Sequence, residues 1–222
     1  MRQLAKFKYA VFDLDGTLFD TIEDIMNSGN ELLAMHGMNP YTLGDYKLFV
    51  GLGVDSLIAS IFKGRKTDED EHLLRKREYL EIYQKRMLET TSLYPGIADL
   101  ISRLREEGVK LAILSNKQDQ DVLLIVEHFN LKSAFEIVLG KRPELPIKPH
   151  PESLKLIIDG FGARPEEVVY IGDTKTDIET AKNASVAVIG VTWGFRPRRE
   201  LVEAGADYIV DDPIAILEIV KG

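Results

Sequence analysis

Short apolar runs alternate with amphipathic stretches over most of the chain, and one long segment lacks the short runs. Tyr9-Ala10-Val11-Phe12 is the first run and reads as a buried strand. Beyond it Ile22, Ile25, Met26, Gly29, Leu32 and Leu33 recur at helical spacing, with Thr21 or Asp20 as N-cap and His36-Gly37 as the helix end. Residues 41–63 predict two shorter helices around Gly51-Leu52-Gly53. Residues 68–89 predict a strongly charged helix that turns Leu73, Leu80, Tyr83 and Met87 inward. No strand signal falls between residues 18 and 91. From Tyr94-Pro95-Gly96 the pattern changes to alternation: helix 97–107, strand 109–114, helix 118–129, strand 135–139. Helix 151–160, strand 168–171, helix 175–184, strand 186–191 and a short strand near 207–210 follow.

Helices between short Val/Ile/Leu-rich strands imply parallel crossovers and an α/β, doubly wound parallel sheet. The all-helical block is then an insertion after the first strand. Residues 1–17 and 92–222 form the α/β core, and residues 18–91 form a small helical cap domain over the carboxyl ends of the strands.

Composition narrows the partners. At 222 residues, 45% hydrophobic and 29% charged, the chain can bury a substantial core and has the make-up of a soluble globular protein. A net charge of −8 argues against nucleic acid and against an anionic membrane as partners. It leaves room for a small anionic substrate, because a bound cation reverses the local field. There is no cysteine, so no thiol nucleophile, thiolate metal site or disulfide. The first strand begins within a few residues of the amino terminus, which leaves no space for a signal peptide, and no apolar run approaches a membrane span. The expected location is cytoplasmic. Apolar cap faces that close on the core or pair between subunits leave a homodimer open.

The chemistry gathers at strand ends. Asp13 and Asp15 follow the first strand and run into Gly16-Thr17. Ser115-Asn116 ends the strand at 109–114, and Gly172-Asp173-Thr174 ends the strand at 168–171, with Asp177 one helical turn on. Parallel strands bring these ends to one edge, where open α/β sheets bind ligands. Lys148 lies in a loop returning to that edge, before Pro149 and a helix that Pro151 can start. Taken singly each has a structural reading: Asp-x-Asp-Gly as a solvated turn, Ser115-Asn116 as a helix cap, Lys148 as a surface lysine. Their shared edge favours a site. Close carboxylates raise each other's pKa unless a cation neutralises them, which a divalent metal would do.

Asp13-x-Asp15-Gly16-Thr17, Ser115-Asn116-Lys117, Lys148-Pro149 and Gly172-Asp173-Thr174-x-x-Asp177 resemble, in order, the four motifs of the haloacid dehalogenase superfamily. The likeness spans nearly the whole chain and implies a Rossmann-like core with a helical cap. Phe49-Val50-Gly51-Leu52-Gly53 and the Ser115-Asn116-Lys117 form are similar to the phosphoglycolate phosphatase branch. The resemblance implies a Mg²⁺-dependent phosphatase acting on a small phosphorylated metabolite, with 2-phosphoglycolate the leading candidate. Asp13 would be the nucleophile and Asp15 the general acid and base. Asp13, Asp173, Asp177 and the backbone carbonyl of Asp15 would form the metal site, with Asp177 bracing it or holding a metal-bound water. Ser115, Lys148, Asn116, Thr17 and the cap's Gly51 would meet phosphate or substrate. Inorganic pyrophosphate, another small phosphate or a sugar phosphomutase reaction are the alternatives. A carbon–halogen dehalogenase would have no use for Asp15 or a metal. Lys141, Arg142 and Arg196 read as solvated loop cations, Trp193-Gly194-Phe195 as packing or a lid edge, and the four histidines show no metal spacing.

Overall fold

A computed structural model describes residues 6–65 and 68–222. The first five residues of the expected core and residues 66 and 67 of the expected cap lie outside the described residues. Strands β1 (Tyr9–Phe12), β4 (Lys110–Gln118), β5 (Ile137–Lys141), β6 (Val168–Gly172), β7 (Ala187–Val191) and β8 (Tyr208–Val210) form one parallel sheet in the order β5-β4-β1-β6-β7-β8. β1 is central, with Tyr9 to Phe12 in register with Lys110 to Ile113 on one side and Val168 to Ile171 on the other.

The alternation of side chains across this sheet creates two apolar layers. Ala10 and Phe12 of β1, Leu111 and Ile113 of β4, and Val169 and Ile171 of β6 belong to one. Helices α5 (Ile97–Glu106), α6 (Asp119–His128) and α10 (Ile214–Lys221) complete that layer through Leu100, Ile125 and Ile216. Val11, Ala112, Leu114, Val168 and Tyr170 face the other layer. There α7 (Glu152–Phe161), α8 (Lys175–Asn183) and α9 (Arg198–Ala204) cover them through Leu154, Ile178 and Leu201. Strands buried on both faces explain the near-continuous apolar runs.

Between β1 and β4 the chain departs as helices. α1 (Ile22–Met35), α2 (Leu43–Phe49), α3 (Gly53–Ile61) and α4 (Glu69–Arg86) form the insert. Thr42 and Asp68 cap α2 and α4 by accepting from Asp45 N and Glu71 N. Acids in the first turn of α4 and Lys85 and Arg86 in its last complement the helix dipole. A side chain at Gly29 on α1 would collide with the Tyr46 ring, so this glycine admits the α1–α2 contact.

Several expectations are corrected. Phe19–Asp20 (β2), inside the stretch read as strand-free, pairs antiparallel with Ser92–Leu93 (β3) just beyond it. Two residues are too few for periodicity to register. Leu73 is 53% exposed; the inward face of α4 is Arg75, Tyr79, Ile82 and Tyr83. β4 runs on to Gln118, so Ser115 and Asn116 lie on extended backbone rather than at a helix cap. Thr21 occupies the N-cap of α1 but makes no capping hydrogen bond. Helices α9 and α10 had no counterpart in the sequence reading, each being at most eight residues long.

Candidate active site

The carboxyl ends of β1, β4 and β6 meet under the helical insert. Asp13 follows β1 directly, Asp173 follows β6, and Asp177 stands in the first turn of α8. Carboxylate oxygens of these three residues lie within 4.8 Å of one another, and all three side chains are buried. Among them sits the ammonium of Lys148, 2.8 Å from Asp13 Oδ1 and 2.7 Å from Asp177 Oδ1. It also donates to the Tyr170 hydroxyl at 3.0 Å.

Three buried acids share one buried base. Burial pushes the Asp13 carboxyl well above its usual range, Asp177 and Asp173 push it further, and Lys148 only partly offsets this. Burial and then Asp177 push Asp173 up to about 7, against the Phe195 N–H, Arg196 and Lys148. Burial alone would lower Lys148; Asp13 and Asp177 hold it above its ordinary value instead, so its ammonium persists. Ionised together, the three acids would carry more negative charge than Lys148 neutralises, and without a cation protonation relieves it. An all-oxygen donor set of this kind suits a hard divalent cation, which would be held by Asp13, Asp173 and Asp177.

The loops are shaped around these acids. Gly16 has φ +86°, and a side chain there would strike the Asp173 carboxylate. Gly194 is confined in the same way by Asp173 and the Gly16 carbonyl. Phe195 N donates to Asp173 Oδ2 at 2.7 Å, and the Thr17 hydroxyl to Asp173 Oδ1 at 3.2 Å. Asp177 Oδ2 accepts from Thr174 N and Thr174 Oγ1 at 3.0 and 2.7 Å, which leaves Oδ1 for Lys148.

Asp15 stands apart from this cluster. It accepts from the Thr21 hydroxyl at 2.6 Å and from Lys117 Nζ at 2.9 Å. Sequence reasoning gave Lys117 no role and offered Thr21 only as one of two helix caps, with Asp20 the other. Lys117 was not legible as a partner of Asp15, because the contact spans 102 residues and no local pattern marks it. Tyr170 was read as one more apolar strand residue, and its hydroxyl turns out to contact Lys148.

Asn116 ties the insert to the core. Its side-chain amide donates to the Gly51 carbonyl at 2.9 Å and the Lys148 carbonyl at 3.1 Å, and its oxygen accepts from Lys148 N at 2.8 Å. Arg196 is not solvated: it donates to the carbonyls of Leu48 and Val50 at 3.1 and 2.8 Å. Lys141 pairs with Asp55 and Arg142 with Asp119. Trp193 donates to the Thr17 carbonyl at 3.0 Å. The cavity between insert and core has a volume of about 70 Å³. Asp13, Asp15, Ser115, Asn116, Lys148 and Gly51 line it; Thr17, Asp173 and Asp177 lie behind its wall. Cap side chains Val54, Leu57, Tyr79, Leu80 and Tyr83 close it.

Residues 10–191 match the family model of haloacid dehalogenase-like hydrolases. The chain belongs to that family. This hydrolase is phosphoglycolate phosphatase-like over nearly its full length. It is 31% identical over 225 residues to a protein of Pasteurella multocida named phosphoglycolate phosphatase, covering 98% of this chain and 100% of the relative. A protein of that name from Haemophilus influenzae is 30% identical, with 96% and 98% covered. The crystal structure of a predicted phosphoglycolate phosphatase from Haemophilus somnus superposes with a TM-score of 0.90 at 29% identity, covering 96% of this chain and 98% of that one. Among the described residues, no helix of this hydrolase is long and apolar enough to cross a membrane.

Proposed function

We propose that this hydrolase is a Mg²⁺-dependent phosphatase of small organic phosphate monoesters, with 2-phosphoglycolate the leading substrate, working through an aspartyl-phosphate on Asp13. The observation that carries this reading is the convergence of Asp13, Asp173 and Asp177 around Lys148, with Asp13 and Lys148 opening onto a small capped cavity. The names of the full-length relatives support the substrate.

Asp13 attacks phosphorus in line, forming an acyl-phosphate bond while the ester P–O bond breaks. Held ionised by Lys148 and the cation, its carboxylate would have no proton to lose, so no partner base is required. Asp15 gives its proton to the departing alkoxide, then takes one from the water that cleaves the acyl phosphate, restoring Asp13 and releasing phosphate. Thr21 and Lys117 hold Asp15 in place for both steps. The Ser115 hydroxyl and the Lys148 ammonium hold the phosphoryl oxygens, where charge develops. Asn116 fixes the backbone of Lys148 and of Gly51 together, so that phosphate grip and cap position are linked. Thr17 orients Asp173. Mg²⁺ held by Asp13, Asp173, Asp177 and the Asp15 carbonyl would neutralise the excess negative charge and polarise the phosphoryl group. A cavity of about 70 Å³ favours a leaving group of few atoms.

Phosphate release from 2-phosphoglycolate, pyrophosphate, hexose phosphates and a nitrophenyl ester, with and without Mg²⁺, tests the reading. Activity that needs Mg²⁺, favours 2-phosphoglycolate by kcat/KM and falls on the order of 10⁴-fold or more in Asp13→Asn is expected. Removing Ser115 costs less, about 10²-fold. Preference for pyrophosphate or a hexose phosphate would overturn the substrate, and full activity in Asp13→Asn would overturn the mechanism.

A further inference from the structure

The cavity wall holds two polar groups, one on the cap and one on α6 of the core, that the protein itself leaves unanswered. Tyr83 on α4 is 2% exposed, and its hydroxyl has no hydrogen-bond partner. Asp121, in the first turn of α6, is 3% exposed and makes no side-chain hydrogen bond or ion pair among the described residues. Both line the cavity that Asp13, Asp15 and Ser115 line. The Tyr83 ring is held on two sides: Tyr79 stacks on it at 5.8 Å and 8°, and Lys117 Nζ lies 4.6 Å from its centroid. Lys117 is in turn fixed by Asp15. Apart from Tyr79 and Tyr83, the cap contributes mainly apolar wall here, from Ile25, Val50, Val54, Leu57 and Leu80.

A buried hydroxyl without a partner costs free energy that a ligand oxygen can recover. Burial, and after it Asp15, Asp121 and Asp24, keep the Tyr83 hydroxyl protonated, so it is available as a donor. We propose that Tyr83 donates a hydrogen bond to an oxygen on the leaving group of the substrate, and so selects esters whose alcohol carries a second oxygen, as carboxylate or hydroxyl. The proposal rests on the phosphatase reading and deepens it. Asp121 separates the two sources of that oxygen. A hydroxyl can donate back to Asp121, whereas a carboxylate is repelled by it and is drawn to Lys117.

The test compares kcat/KM for ethyl phosphate, 2-hydroxyethyl phosphate and 2-phosphoglycolate, with Mg²⁺, in wild type, Tyr83→Phe and Asp121→Asn. Wild type is expected to prefer an oxygen-bearing ester to ethyl phosphate, and Tyr83→Phe to cut that preference about tenfold or more. Because the readout is a ratio within one preparation, a partly misfolded variant leaves it unchanged. A preference for 2-phosphoglycolate that rises in Asp121→Asn identifies the carboxylate; one for 2-hydroxyethyl phosphate that falls identifies the hydroxyl. Equal rates on all three esters, or a preference untouched by Tyr83→Phe, would overturn the role of Tyr83 and leave the phosphatase reading standing. Failure of wild type on all three while it hydrolyses pyrophosphate or a hexose phosphate would overturn the role of Tyr83 and the substrate together, and failure on those as well would remove the phosphatase reading.

Discussion

Asp13, Asp173 and Asp177 surround a single ammonium, that of Lys148, whereas Asp55 on the cap has two lysines and an imidazole around it. Lys76 and Lys141 each reach Asp55 at 2.7 Å, and His72 at 3.4 Å. In the core cluster, burial and like charge drive Asp13 and Asp173 upward. At Asp55 burial also pushes up, but hydrogen bonds from Lys141 and Lys76 outweigh it and hold the carboxyl below the usual range. Lys141 belongs to β5 and Asp55 to α3, so the cap pair joins insert to core. The same side chain thus does two jobs. Excess acid in a buried site is an unfinished arrangement that a cation and a phosphate complete, while excess base around a half-exposed acid is a finished contact.

The sharpest way to break the contrast is to remove the one base among the three acids. Lys148→Met should destabilise the metal-free protein by about 3–5 kcal/mol, read from the denaturant midpoint, because it leaves buried charge uncompensated. A change under about 1 kcal/mol would mean the cluster is already neutral without it.

Next in size is a pH effect whose sign differs between the two regions. Asp173 binds its proton more tightly folded, near 7, than unfolded, near 4, so its contribution to stability falls as pH rises across that window. Metal-free protein should lose thermal stability from about pH 4 to pH 7 through this group; Mg²⁺ or Asp173→Asn should flatten that slope. A slope unaffected by either would remove the cluster as its source. Asp55 works in reverse, since its depressed pKa stabilises above the usual carboxylate range and that support is lost as pH falls below it. Its side chain is 41% exposed, so solvent screens the pair and Asp55→Asn should cost only about 0.5 kcal/mol. A loss of several kcal/mol would show that the cap depends on this contact.

The core was legible because its signals are local. Tyr9–Phe12 and Val168–Gly172 are buried on both faces, so each reads as an unbroken apolar run ending in an acid. Parallel topology then places those acids together without any knowledge of the loops. Lys117 and Tyr170 were not legible as partners of Asp15 and Lys148, because their contacts span 102 and 22 residues. The Tyr83 hydroxyl was hidden for a different reason. Periodicity marks Tyr83 as inward-facing, and only the packed cavity shows that its polar end meets nothing. Leu73 failed because the count gave it the inward stripe, while Arg75 fills the inward face of the early turns with its guanidinium over the Phe62 ring.

The central claim is that Asp13 takes the phosphoryl group, and trapping it is the most direct test. The Asp15→Asn variant is mixed with Mg²⁺ and a nitrophenyl phosphate, whose leaving group departs without a proton, then quenched in acid and mapped by mass spectrometry. The account predicts a burst of nitrophenolate matched by phosphorylation of the peptide holding Asp13, because the second step lacks its base. Nitrophenolate released with Asp13 unmodified throughout would mean that water attacks phosphorus directly, and would contradict it.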